Sequence, residues 1–230
     1  MIKIIVPALI LLLSGCNETN HTNYDGKKLL KEKCSACHNL DMPPKTSKDE
    51  KAPPMMAVSF HVFDFVKPVD ESERKIKAVE FVIDYVENPS IEKSFCDKES
   101  LKRYGLMPSQ KDKINEDETR AIANYMFEYF TPKNLSKIQK DIAKFNALPK
   151  GERLALKHKC FGCHRVDKKI VGPSFQDIAK RYKNKSKNIK DSIKNGSKGK
   201  WKESSKAIMP KFKNIDDKEL NSITKWIVNR

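Results

Sequence analysis

Long apolar runs are the first thing this 230-residue chain has little of. The longest, Ile4 to Leu13, is about half of the roughly 20 residues that a helix needs to cross bilayer hydrocarbon, so it does not read as an anchor helix. Glycine is also scarce, with 8 residues, and no Gly-rich loop of the kind that cradles phosphates is present. Neither is there a paired acid–base constellation or any other recognisable catalytic set. Negative charge is sparse in one half only. Residues 26–130 carry 18 Lys and Arg against 19 Asp and Glu, whereas residues 131–230 carry 27 against 9. The net charge of +16 therefore belongs to the second half, where Lys180-Arg181-Tyr182-Lys183-Asn184-Lys185-Ser186-Lys187 is a dense example. Nucleic acid is the usual partner of such a run.

The start of the chain argues against that partner. Met1-Ile2-Lys3 followed by the short apolar run has the form of a signal peptide, and Leu13-Ser14-Gly15-Cys16 resembles the bacterial lipobox. The resemblance implies that residues 1–15 are removed, and that Cys16 is lipidated and holds the protein at a membrane surface. Plain secretion is the simpler alternative. Residues 16–25 are polar and read as a tether, in which His21 is solvated. An exported protein does not meet nucleic acid, so an acidic protein partner or an anionic membrane surface suits the basic half better. A lysine-rich habit of composition would also explain the charge, but it should act on both halves.

Six cysteines follow a pattern. Cys34-Ser35-Ala36-Cys37-His38 and Cys160-Phe161-Gly162-Cys163-His164 are two copies of C-x-x-C-H. In that pentapeptide two thiols can add to the vinyl groups of one haem, and the adjacent histidine falls beneath the iron as its proximal ligand. A dithiol redox motif or half of a zinc site would leave the histidine after each second cysteine as coincidence. Two haem c groups would use four cysteines and the lipid a fifth. Cys96 is left over, as a small buried residue, a reactive thiol or a thiolate ligand.

The two motifs head similar segments. Gly26 to Cys34 and Gly151 to Cys160 read as short helices. Each segment closes on a helix with a start signal, Asn115 with Glu118 and Asp216 with Glu219, of capping-box type. Ile122, Met126 and Tyr129 stripe the first closing helix; Leu220, Ile223 and Ile227 stripe the second. First and last helices crossing over a haem is the class I cytochrome c arrangement, which this chain resembles twice. The expected fold is all-α, with two cytochrome c-like helical domains, each wrapped around a covalently attached haem c. The boundaries are 26–130 for an enlarged first domain, 131–149 for a linker helix and 150–230 for the second domain. Leu135, Ile138, Ile142 and Phe145 line one face of that linker, a stripe expected to pack on a haem domain.

The second segment is the closer match. Gly172-Pro173-Ser174-Phe175 looks like the stretch that follows the haem motif in small bacterial class I cytochromes, where the proline carbonyl accepts a hydrogen bond from the proximal histidine. Gly196-Ser197-Lys198-Gly199-Lys200-Trp201 resembles the family's approach to a tryptophan beside a haem propionate. Ile208-Met209-Pro210 resembles the methionine–proline pair whose sulfur is the distal ligand. The resemblance therefore implies His164 and Met209 as axial ligands, with Pro173 and Trp201 in the haem surroundings. In the first segment His38 to Met107 spans 69 residues, against 45 from His164 to Met209. Ala52-Pro53 matches Gly172-Pro173, and Leu106-Met107-Pro108 repeats the methionine–proline pair eight residues before Asn115. These imply His38 and Met107 as ligands and Pro53 as the residue whose carbonyl accepts from His38. Met55, Met56, His61 and Cys96 are rivals to Met107; Met55 and Met56 are expected in the core, and His61 as a satisfied interior group. A helix over 80–86 belongs to the enlargement.

A His–Met pair fills all six iron positions and leaves no open site, so the implied activity is outer-sphere transfer of one electron, not catalysis. The expectation is a membrane-anchored dihaem cytochrome c relaying electrons between extracytoplasmic redox proteins, with acidic partners at the second domain. A haem-bearing subunit of a membrane oxidoreductase complex shares every local feature, and a dihaem peroxidase is the enzyme alternative.

Overall fold

A computed structural model describes residues 24–202 and 206–230. The segment expected to be a signal peptide, Cys16 and most of the expected tether fall outside the described residues. The chain divides into two compact units after Asn134. Both are helical, and no helix among the described residues is long and apolar enough to cross a membrane.

Unit 1 contains α1 (Gly26–Cys34), α2 (Met55–Phe65), α3 (Arg74–Glu87), α4 (Lys98–Tyr104) and α5 (Glu116–Tyr129). Its anchor is α5. Asn115 accepts from the Glu118 amide, and the Glu118 carboxylate accepts from the Asn115 amide, a complete capping box. Ile122, Ala123, Met126 and Phe127 then fall on one buried face. Helix α1 crosses that face at Gly26, where a Cβ atom would lie 2.2 Å from the carbonyl oxygen of Ala121. Helix α3 packs on α5 as well, burying Ala78, Val79 and Val82. Arg74 closes the end of α2 by donating to the carbonyls of Phe63 and Val66, at 2.8 and 2.7 Å, while its guanidinium pairs with Glu71.

Unit 2 repeats the plan with α7 (Lys150–Lys157), α8 (Phe175–Arg181), α9 (Ser186–Asn195) and α10 (Asp217–Val228). Helices α7 and α10 cross at Gly151, whose missing Cβ would stand 2.2 Å from the Trp226 Cβ and 2.4 Å from the Ser222 carbonyl oxygen. The core gathers Ala155, Phe175, Ile189, Ile193, Leu220, Ile223, Trp226 and Ile227. Helices α9 and α3 are each packed on the closing helix of their unit. The segment over 80–86 lies in α3, and α4 follows it.

Four expectations need correction. Asp216 caps α10 by accepting from the Lys218 and Glu219 amides, but Glu219 does not close a box. Its carboxylate instead crosses to α7, accepting from Lys157 Nζ at 2.6 Å and meeting His158 Nε2 at 2.8 Å, because a charged partner outcompetes a backbone amide. Second, α6 (Pro132–Ala147) buries no residue, and Ile142 and Phe145 of its stripe are exposed. Third, His61 is exposed on α2, its ring edge against Phe65. Fourth, the fold is not purely helical. Strands β1 (Ser197–Lys198) and β2 (Ile208–Met209) form an antiparallel ladder pairing Ser197 with Met209 and Lys198 with Ile208.

Candidate functional site

Each C-x-x-C-H segment begins where a short helix runs out, at α1 in unit 1 and just after α7 in unit 2. Between α7 and Cys160, Lys159 adopts φ 59°, a left-handed conformation that turns the chain into the motif. The amides of His38 and His164 then bond back to the carbonyls of Cys34 and Cys160 at 2.9 and 3.1 Å, which folds each pentapeptide into one tight turn.

The histidines are held alike. His38 Nδ1 lies 2.8 Å from the Pro53 carbonyl oxygen, and His164 Nδ1 lies 2.7 Å from that of Pro173. A carbonyl only accepts, so Nδ1 carries the proton and Nε2 keeps its lone pair. Burial holds both imidazoles below their ordinary pKa, against the opposing effect of the carbonyl bonds. They are neutral, oriented imidazoles at neutral pH, each with Nε2 left as an acceptor or ligand atom. The surrounding backbone matches too. The Met55 amide donates to the Asn39 carbonyl, and the Phe175 amide to that of Arg165, both at 2.9 Å, so α2 and α8 start from the residue following each histidine. Gly172 lies flat on the His164 ring, where a Cβ would be 2.5 Å from Cε1. Unit 1 has Ala52 at the matching position.

Burial pushes the Cys34 thiol up to about 11, with Cys37 adding to the rise, and does the same to Cys160. A redox dithiol works through a lowered pKa, the opposite environment. The five described cysteines are free of disulfides, and no group of three or more His, Cys, Asp or Glu among the described residues could hold a metal ion. A half-buried first thiol and an exposed second one, beside an oriented imidazole, fit thioether attachment of haem.

In unit 2 the expected residues share one cavity of about 370 Å³. Cys160, Cys163, His164, Pro173, Trp201 and Met209 line it, with Phe175, Ile178, Ile193 and Ile223 among the apolar walls. The ladder places Met209 on that wall. Gly196, at φ +76°, lets its backbone come where a Cβ would be 2.8 Å from the Met209 carbonyl oxygen. The guanidinium of Arg181 lies 4.5 Å over the Trp201 ring, fixing that side chain at the cavity edge. His158 lines the cavity as well, a residue the sequence reading passed over because its partner Glu219 lies 61 positions away. A covalently bound haem fits this donor set and lining.

Unit 1 assembles only its proximal half in this way. Met107 is half-buried and lines a shallow depression with Glu87, Pro89, Lys93 and Pro108, and that depression includes neither His38 nor its cysteines. Among the rivals, Met55 is buried, Met56 and Cys96 are half-buried, and His61 is exposed.

Comparison with known proteins bears on the second unit. The cytochrome c family profile matches residues 148–230, which contain the second C-x-x-C-H. Cytochrome c-551 of Pseudomonas denitrificans is 40% identical over 82 residues, 34% of this chain and 94% of that protein. Cytochrome c-552 of Nitrosomonas europaea is 36% identical over 78 residues, 33% of this chain and 73% of that one. An uncharacterised protein of Aquifex aeolicus is 32% identical over 117 residues, 46% of this chain and 73% of its own length. No solved structure matches the chain significantly.

Proposed function

Because this chain belongs to the cytochrome c family, we propose that it is a lipid-anchored dihaem cytochrome c that relays single electrons between redox proteins on the extracytoplasmic side of a membrane. The observation that carries the proposal is the repeated proximal bond. A C-x-x-C-H histidine gives Nδ1–H to a proline carbonyl in each unit, at 2.8 and 2.7 Å. Such a bond has one evident use, to hold Nε2 towards a metal.

In this reading Cys34 and Cys37, and Cys160 and Cys163, attach two haem c groups, which supply the one-electron couple. His38 and His164 bind from the proximal side, Met107 and Met209 from the distal side. With both positions taken, the protein has no room for a substrate at iron. The thioether sulfur of methionine is a weak donor, which favours the ferrous state and raises the potential. The Leu13-Ser14-Gly15-Cys16 signature supports the lipid anchor. Haem-to-protein stoichiometry tests the count: two per chain in the native protein, and one after Cys34→Ala/Cys37→Ala. A native ratio of one would leave unit 1 without a haem and remove the relay.

The partner is proposed to be acidic where it meets unit 2. Charges there act over about 8 Å at physiological salt, so they steer only a close encounter. Transfer to the native partner is expected to slow as ionic strength rises. Salt-independent kinetics would rule the charged docking out.

A further inference from the structure

Two of the places where unit 1 is longer than unit 2 touch one another. The loop from the proximal histidine to its proline carbonyl spans 15 residues in unit 1 and 9 in unit 2. The other addition is α4, which ends three residues before Met107; no α-helix lies between β1 and β2 among the described residues of unit 2. Glu50, in the lengthened loop, joins them. Its side chain is only 7% exposed and its Oε1 has no hydrogen-bond partner. Oε2 lies 3.5 Å from the Tyr104 hydroxyl and 3.7 Å from Arg103, both residues of α4. Arg103 also donates to the Ser47 carbonyl of the same loop, at 3.2 Å. Both side-chain partners of this carboxyl lie on α4, so cutting them while the loop stays in place leaves a buried carboxyl bare, which costs more than losing an exposed pair.

We propose that Glu50 is a positioning residue of the first haem site, locking the segment that carries Met107 to the loop whose Pro53 orients His38. The proposal rests on the reading of Met107 as distal ligand. Past α4, Gly105 at φ +71° redirects the chain straight into Leu106 and Met107, leaving little slack between the lock and the sulfur. Unit 2 lacks the lock and serves as an internal control, its methionine being held by the β1–β2 ladder instead.

The test uses the full holoprotein, read by reductive potentiometry and by the spectral change on adding carbon monoxide to the reduced form. The native protein is expected to show no change with carbon monoxide. Glu50→Ala is expected to open one iron, so that about half of the haem reacts and only the unit 1 potential falls. Glu50→Gln, which keeps an acceptor for Tyr104, is expected to restore most of the native behaviour. If Glu50→Ala does not assemble, Arg103→Ala/Tyr104→Phe removes the same contacts from the α4 side, and the same result is expected. Two native potentials and an inert haem in the assembled variant overturn the proposal. Met107→Ala separates the two readings. If it opens one iron while the lock variants do not, only the positioning role fails; if Met107→Ala changes nothing, the ligand assignment fails and takes the lock with it.

Discussion

In the proposed dihaem protein, replacing Met209 by alanine is expected to open one iron of the two. About half of the haem absorption of the reduced protein should then shift on adding carbon monoxide, and one of the two reduction potentials should drop while the other stays. The expectation follows from placement: Met209 is the one methionine after Cys160, and it stands on the wall of the cavity that holds His164. Its backbone is pinned by pairing with Ser197, so the segment should keep its course when the side chain is cut. Losing a weak sulfur donor removes the preference for ferrous iron, which sets the direction of the potential change. A variant that stays inert to carbon monoxide would show that another group caps this iron.

The largest effect on stability is expected at Gly151. Alanine there would put a methyl group 2.2 Å from the Trp226 Cβ and 2.4 Å from a backbone oxygen, neither of which is the free end of a flexible chain. Helices α7 and α10 must part, and Trp226 with them. Overpacking of this kind costs about 2–3 kcal/mol. For a unit of this size that corresponds to a fall of roughly 10–20 °C in its unfolding midpoint. Differential scanning calorimetry of Gly151→Ala should show the unit 2 transition moving down and the unit 1 transition in place. Gly26→Ala is the matched control, since its Cβ would meet the Ala121 carbonyl at 2.2 Å, and it should move the other transition. A Gly151→Ala protein that melts like the native one would mean that the crossing is looser than the geometry requires.

What could be read from the chain alone were features encoded over short stretches. The C-x-x-C-H pentapeptides, the cap residues Asn115 and Asp216, and the apolar spacing of Leu220, Ile223 and Ile227 each depend on neighbours within a few turns, where sequence distance and spatial distance agree. The helical character of the fold followed from these, while the pairing of each closing helix with the helix that leads into the motif came from the resemblance to class I cytochromes c. The match between Pro53 and Pro173 was also legible, because a repeated segment lets one copy be laid over the other.

The tertiary structure decided whatever depended on residues far apart in the chain. Glu219 had two possible partners, its own cap and the α7 side chains Lys157 and His158, and only the crossing of α7 with α10 brought the stronger pair within 2.8 Å. The apolar stripe of α6 was plain in the sequence, yet periodicity gives a face and not what covers it, and Ile142 and Phe145 stand exposed. The β1–β2 ladder has two residues a strand, too few to leave an alternating pattern, but it sets the course of Met209. The junction of Glu50 with Arg103 and Tyr104 spans more than fifty positions and joins a loop that is shorter in unit 2 to α4. Local sequence thus determined which residues could bind haem and where the helices begin. Burial and long-range contact determined which of those residues share a cavity, because the energy of a desolvated charge or a crowded crossing exists only once distant segments have met.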